Sequence, residues 1–259
     1  MERLSEALNL VYSASAIPMH FTAEYVASFI RDYDIVPELC SLWHDENDAT
    51  VAAALVGARG QRGWLGAFGI APDYRGRGLA SGFVRETLAV SQRERLATMQ
   101  LECLDSNVAA RRAYEGAGFK TLRSVIALAG SLPVESASIS ARTVASIERE
   151  EPRIRPTWQR EPDTLRHRAA DLKMVTSDDG HNFIIFRAHD GEVQIVRAET
   201  DDDAALGALL YQAGRETGFD RGSIINEPDD SPLIGRLERL GWGVFLRQAE
   251  MMIKVRFRG

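Results

Sequence analysis

The stretch Ile70-Ala71-Pro72-Asp73-Tyr74-Arg75-Gly76-Arg77-Gly78-Leu79-Ala80 decides how this chain is read. An apolar, strand-like run (GWLGAFGIAP, residues 63–72) enters it, and an amphipathic run with Leu79, Phe83, Leu88 and Val90 towards one face leaves it. The glycines between them therefore mark a strand-to-helix turn, which presents unpaired backbone N–H groups at the positive end of a helix. Glycines at 76 and 78 let the main chain approach an anion and take positive φ, while Arg75 and Arg77 add charge beside it. The turn lacks the third glycine of a dinucleotide fingerprint and the Gly-Lys-Ser/Thr of a P-loop. A diphosphate held by main-chain amides is the ligand chemistry that it suits.

The flanking sequence supplies a framework for that turn. Residues 22–31 (TAEYVASFIR) have helical periodicity behind a Thr22 cap. Two strand-like runs, 36–44 and 50–58, are separated by the polar turn DEND, and a second turn at 59–63 leads into the run that ends at Pro72, giving an antiparallel meander. After the helix that begins at the glycines come a strand (MQLECLD), a short helix (SNVAARRAYEGAG) ended by Gly118, and a closing strand (FKTLRSVIALAG). An α/β protein built on a mixed sheet (α+β in arrangement) is expected.

With these residues in place, the chain resembles the GNAT superfamily of N-acetyltransferases. The family's Arg/Gln-x-x-Gly-x-Gly/Ala pattern is met at Arg75, Gly78 and Ala80. Its second motif, Asn-x-x-Ala-x-x-x-Tyr-x-x-x-Gly-Phe, is met at Asn107, Ala110, Tyr114, Gly118 and Phe119. The resemblance covers residues 15–130 and implies an acetyl-CoA co-substrate. It gives the pantetheine arm to the backbone of Phe68, Gly69 and Ile70, and the pyrophosphate to the turn at Arg75, Gly76, Arg77, Gly78, Leu79, Ala80 and Ser81, with Asn107 and Tyr114 also contacting the cofactor. It further implies transfer of an acetyl group to an amine by direct attack in a ternary complex. Glu102 is the candidate base, because an alkylammonium with a pKa of about 10.4 must lose a proton before it can attack. Tyr114 is the candidate acid for the departing thiolate, and a backbone N–H near Ile70 is the candidate oxyanion donor. A non-catalytic acetyl-CoA-binding regulator or scaffold is the competing reading, and an enzyme for longer acyl chains is a third within the same fold.

The remainder of the chain runs through the same order of elements again: strands NFIIFRA and EVQIVRA, a helix from Asp202, strand GSIIN, a helix from Ser231 and a last strand VFLRQAEMMIKV. Aligning Gly118 with Gly241, 123 residues on, places Leu237 at Tyr114, Asp230 at Asn107 and Ile225 at Glu102. The glycine turn is replaced by Glu199-Thr200-Asp201-Asp202-Asp203, whose carboxylates cap helix amides themselves and repel a diphosphate. Two tandem GNAT-like domains are expected, 1–135 for acetyl-CoA and 136–259 for a degenerate copy with its connecting segment, which is rich in Ser, Pro and charge. That copy is expected to wall the acceptor site.

Composition narrows the partners. A net charge of −6 lacks the basic footprint that a nucleic-acid protein needs, so no nucleic acid is expected. No apolar run nears the roughly 20 residues that span a bilayer, and the charged, amphipathic N-terminus MERLSEALNL is unlike a secretory signal; no membrane partner and a cytoplasmic location are expected. Cys40 and Cys103 form no ligand or redox pattern, and the five histidines show no paired spacing, so no metal is expected. Trp158 reads as a packing anchor and the acidic run 227–230 as a solvated turn. The partners left are a small-molecule or peptide amine and, in a homodimer, a second copy of the chain.

Overall fold

The computed structural model describes residues 1–15, 19–135, 141–144, 152 and 154–255. They divide into two compact units, the first made of residues 1–122 and 249–259 and the second of residues 123–248. Packing thus parts the chain at Leu122 rather than at the 135/136 division read from the loss of periodicity. The last strand begins in the second unit and ends in the first, a return that no local sequence signal announces.

The first unit starts with helices α1 (Glu2–Tyr12) and α2 (Ala23–Asp32). Thr22 caps α2 by accepting from the Tyr25 N–H at 3.1 Å, as its position before the periodic run predicts. The meander comes next as β1 (Ser41–His44), β2 (Thr50–Arg59) and β3 (Arg62–Ile70). The expected strand over 36–44 is shorter because Pro37 starts a 3-10 turn over Pro37–Leu39. Then come α3 (Leu79–Arg93), β4 (Thr98–Leu104) and α4 (Val108–Gly116), and residues 249–254 of the final strand complete the sheet beyond β4. Between the sheet and α3 and α4 lies a core containing Leu65, Phe83, Met99, Leu101, Tyr114 and Phe119.

The second unit is ordered β5 (Lys120–Ser131), β6 (Ala141–Val144), α5 (Pro162–His167), β7 (Lys173–Ser177), β8 (Phe183–His189), β9 (Glu192–Glu199), α6 (Asp203–Thr217), β10 (Arg221–Pro228), α7 (Pro232–Arg239) and β11 (Gly243–Lys254). Its strands run β5-β10-β9-β8-β7-β6 across the sheet. The helices at 202 and 231 and the strands between them fall where the periodicity puts them. Trp158 is fully buried, the anchor its sequence position suggested.

Each unit carries an irregularity that parts its sheet. In the first, Leu55 pairs with Ala67 and Val56 with Leu65, which leaves Gly66 as an extra residue in β3. Such a bulge twists its strand and breaks the ladder on the far side. Parallel pairing of β3 with β4 accordingly ends at Trp64↔Gln100, and the strands part beyond it. In the second unit Ile185 pairs with Arg197 and Phe186 with Ile195, so Val196 is extra, and pairing of β9 with β10 ends at Ile195↔Ile224.

The end of α1 lies directly against the parted segment of β3. A Cβ on Gly69 would come within 2.8 Å of the β-branched Val11 side chain, so only glycine permits the approach. Gly69→Ala should cost about 1–3 kcal/mol by overpacking, read as a lowered urea midpoint with unchanged slope; wild-type stability would mean that α1 does not sit on β3.

Candidate active site

The turn after β3 is held open from outside. Tyr74 donates its hydroxyl to Asp45 in the β1–β2 turn at 2.6 Å, and the Arg77 guanidinium lies 5.2 Å from the centre of the Tyr74 ring while donating to the Asp73 carbonyl at 2.7 Å. Gly76 and Gly78 both take left-handed φ, 75° and 76°, which a side-chain-bearing residue adopts only with strain. Gly78 is the N-cap of α3, no side chain caps the helix, and its first turn carries no acidic residue. The orphan amides that begin this 15-residue helix therefore face a glycine-lined, exposed turn. These residues fit the diphosphate of acetyl-CoA by their own conformation: exposed main-chain donors, positive helix end and no Cβ above either glycine.

Arg75 has a structural task of its own. Its Nε donates to the Ile70 carbonyl at 2.9 Å and its Nη2 to the Val11 carbonyl at 2.8 Å, so the side chain ties the end of β3 to the end of α1. Of the two arginines read as anion ligands, each spends a guanidinium N–H on a main-chain carbonyl of its own neighbourhood.

Beyond the bulge, Phe68 and Ile70 turn their backbone polar groups into the gap while Gly69, paired with Ala53, turns its own towards β2. The Phe68 N–H does not point at empty space: it donates to the Tyr12 hydroxyl at 3.1 Å. Tyr12, the last residue of α1, is a site residue that sequence reasoning missed. MERLSEALNL is amphipathic, but nothing in it says that the helix ends in the gap.

Glu102 and Tyr114 approach the gap from opposite faces of the sheet. Leu101 and Cys103 belong to the core under α3 and α4, so Glu102 projects to the other face, where the Trp64 indole N–H donates to its Oε2 at 2.9 Å. Trp64 is in turn packed by Phe29 and Tyr33 of the α2 region, with ring centres 5.9 and 5.4 Å away. Tyr114 sits in the core with only 6% of its surface exposed, its ring against Phe68 and Phe119. Burial pushes its phenol well above the usual tyrosine value, with the neighbouring Tyr12 adding to the rise. A phenol so placed keeps its proton at any ordinary working pH. Asn107 caps α4, its Oδ1 accepting from the Ala110 N–H at 3.1 Å, and so fixes the helix that carries Tyr114. Burial raises the Cys103 thiol to about 11, which makes it a core residue rather than a nucleophile.

In the second unit a charged side chain bridges the corresponding gap. The buried Arg160 donates from Nε to the carbonyl of the extra residue Val196 at 2.7 Å and from Nη1 to the Asn226 carbonyl at 3.3 Å, bridging the parted strands, and it pairs with Glu227. The acidic run at 227–230 is therefore not wholly a solvated turn. A cavity of about 230 Å³ remains beside Arg160, lined also by Val196, Thr200, Pro228 and Leu233. Asp202 caps α6 through the Ala205 N–H, and Arg239 pairs with Asp203, so the helix end that faces a turn in the first unit is self-satisfied here. Helices α4 and α7 close alike: Phe119 N–H to Tyr114 O at 3.0 Å, and Trp242 N–H to Leu237 O at 2.9 Å. Among the described residues no group of three His, Cys, Asp or Glu side chains could hold a metal, and no helix is long and apolar enough to cross a membrane.

Comparison with known proteins now bears on this geometry. Residues 5–119 match the family model described as Acetyltransferase (GNAT) family. A GCN5-related N-acetyltransferase from Sphaerobacter thermophilus is similar in fold, with 17% identity, a TM-score of 0.70, and 98% of this chain and 92% of that one covered. So is a tandem GNAT protein from the clavulanic acid biosynthesis pathway, in its form without AcCoA, at 12% identity, a TM-score of 0.67 and 100% and 97% coverage. A GCN5-related N-acetyltransferase from Anabaena variabilis is similar at 16% identity, a TM-score of 0.57 and 98% and 70% coverage. No curated protein matches the sequence.

Removing Arg160 leaves Glu227 buried without its partner and the Val196 carbonyl without its Arg160 donor, while the Asn226 carbonyl keeps only the Thr157 hydroxyl. Arg160→Ala should cost about 3–5 kcal/mol, seen as a large fall in thermal midpoint; a change under about 1 kcal/mol would mean that the bridge is not formed in solution.

Proposed function

We propose that the chain is an N-acetyltransferase of GNAT type, moving an acetyl group from acetyl-CoA to an amine in a ternary complex within the first unit. The observation that carries this reading is the gap between β3 and β4 beside an uncapped helix N-terminus, on residues that match the family model. Main-chain amides at 76–81 would hold the diphosphate, and the Phe68 carbonyl and Ile70 N–H on the parted edge would hydrogen-bond the pantetheine arm as an added strand does. When bound, the thioester supplies an activated acetyl group.

The chain's own residues would handle the protons. Glu102 accepts one from the acceptor ammonium, directly or through water, before the free amine attacks, and Tyr114 donates one to the sulfur as the carbon–sulfur bond breaks. Their positions on opposite faces of the sheet support this division, because a reactant in the gap is open to a base from the Trp64 side and to an acid from the α4 side. Asn107 contributes by capping the helix of Tyr114 rather than only by touching the co-substrate.

The second unit is read as a diverged copy that does not itself turn over. Three features support this: the shared bulge-and-gap plan, Arg160 within the gap, and Leu237 where Tyr114 would be. A cytoplasmic location rests on composition. An unreactive acetyl-CoA sensor remains the competing class, and thiol release from acetyl-CoA over a broad panel of amines separates the two. Release above the uncatalysed rate is expected; binding with no release across the panel would make the protein a sensor.

Substitution tests the two roles. Glu102→Gln should depress the rate most at low pH, where the acceptor is protonated and needs a base; an unaltered pH profile removes Glu102. Tyr114→Phe should lower turnover by roughly 10²-fold with acetyl-CoA binding little changed; full turnover would assign the residue to packing alone.

A further inference from the structure

The hydroxyl of Tyr12 lies in the gap itself. It stands where a neighbouring strand would place a carbonyl oxygen, because the Phe68 N–H that donates to it faces away from β2. Three contacts fix it there: Val11 rests on Gly69, Arg75 bonds the Val11 carbonyl, and the Tyr12 ring packs 5.4 Å from that of Phe21. A phenol oxygen that accepts an N–H is left with its own O–H to give, and among the described residues that O–H has no acceptor. Burial raises the phenol's pKa and the Phe68 N–H partly offsets the rise, so the group is protonated and polarised.

The diphosphate turn lies past the C-terminal end of β3, so an extended arm running from it along the gap meets Ile70 first and Phe68 next. The thioester at the far end of that arm arrives at Tyr12. We infer that Tyr12 is a further catalytic residue for the proposed transfer, its O–H donating to the thioester carbonyl oxygen as negative charge develops there, with the Phe68 N–H polarising the phenol from behind. The inference rests on the acetyl-CoA reading of the first unit. It differs from that reading's expectation of a backbone donor near Ile70, because at Phe68 the available main-chain hydrogen already belongs to Tyr12.

The step balances. An ammonium acceptor first gives one proton through Glu102 to solvent; the neutral amine nitrogen then forms a bond to the carbonyl carbon and passes its further proton to Glu102, while the carbonyl π pair moves to oxygen, where the Tyr12 O–H bonds it without transfer. When the pair returns, the carbon–sulfur bond breaks, sulfur keeps the bonding electrons and takes the Tyr114 proton, and water returns the proton from Glu102 to Tyr114. A neutral donor aimed at developing charge in a site shielded from water stabilises the transition state more than the ground state.

Hydroxylamine provides the test, since it is largely unprotonated at neutral pH and needs no base, which isolates the carbonyl donor from Glu102. Thiol release from saturating acetyl-CoA with hydroxylamine should fall roughly 10²-fold in Tyr12→Phe, while the acetyl-CoA dissociation constant by calorimetry moves less than about threefold, as expected of a group acting in the transition state. A rate within about twofold of wild type, with or without tighter acetyl-CoA binding, would show the phenol to be only a competitor for the Phe68 amide and would overturn the assignment by itself. Wild-type protein that gives no binding heat with acetyl-CoA would instead remove the transferase reading and Tyr12 with it, and binding without any hydroxylamine-driven release would remove the catalytic roles together.

Discussion

A sheet that parts leaves an edge of main-chain donors and acceptors inside a protein, and those groups must be satisfied by something. The extra residue Gly66 creates that condition in β3, and its absence of a side chain is itself required, since a Cβ there would lie 2.2 Å from the Trp64 ring. The consequences spread from this edge. Arg75 satisfies the Ile70 carbonyl and Tyr12 the Phe68 amide, which draws the end of α1 onto β3 and puts a phenol in the gap. An extended ligand with amide groups can pair with the rest of that edge, and the uncapped start of α3 gives it a place for charge at one end.

The second unit meets the same constraint with a permanent answer. Its gap is spanned by Arg160, whose charge is matched by Glu227 and whose donors take up carbonyls on both strands, and its helix end is occupied by aspartates and their arginine partners. The two gaps differ in what a ligand meets. In the first it meets a neutral hydroxyl on one hydrogen bond; in the second it meets a buried ion pair, whose disruption strands a charge. Two gaps of similar plan are thus spanned differently, by a phenol in the first and by an ion pair in the second.

Much of this was legible in the sequence because the relevant physics is local. The glycines at 76 and 78, the Thr22 and Asn107 caps, the helix carrying Tyr114 and the aspartates before α6 all act within a turn or two of themselves. What stayed hidden depends on contacts distant along the chain. No periodicity marks Gly66 as an extra residue, because the register that makes it one belongs to β2. Nothing local to Arg75 announces Val11 and Ile70 as its partners, nothing beside Glu227 in the sequence announces Arg160, and nothing in the amphipathic N-terminal stretch announces that Tyr12 meets Phe68. The returning final strand escaped for the same reason: its partners lie in another part of the sequence.

The stoichiometry of acetyl-CoA binding, measured by titration calorimetry on the full chain, tests the account most directly. One molecule per chain is predicted, seated in the first unit while Arg160 closes the second. Two molecules per chain, or none, would contradict it.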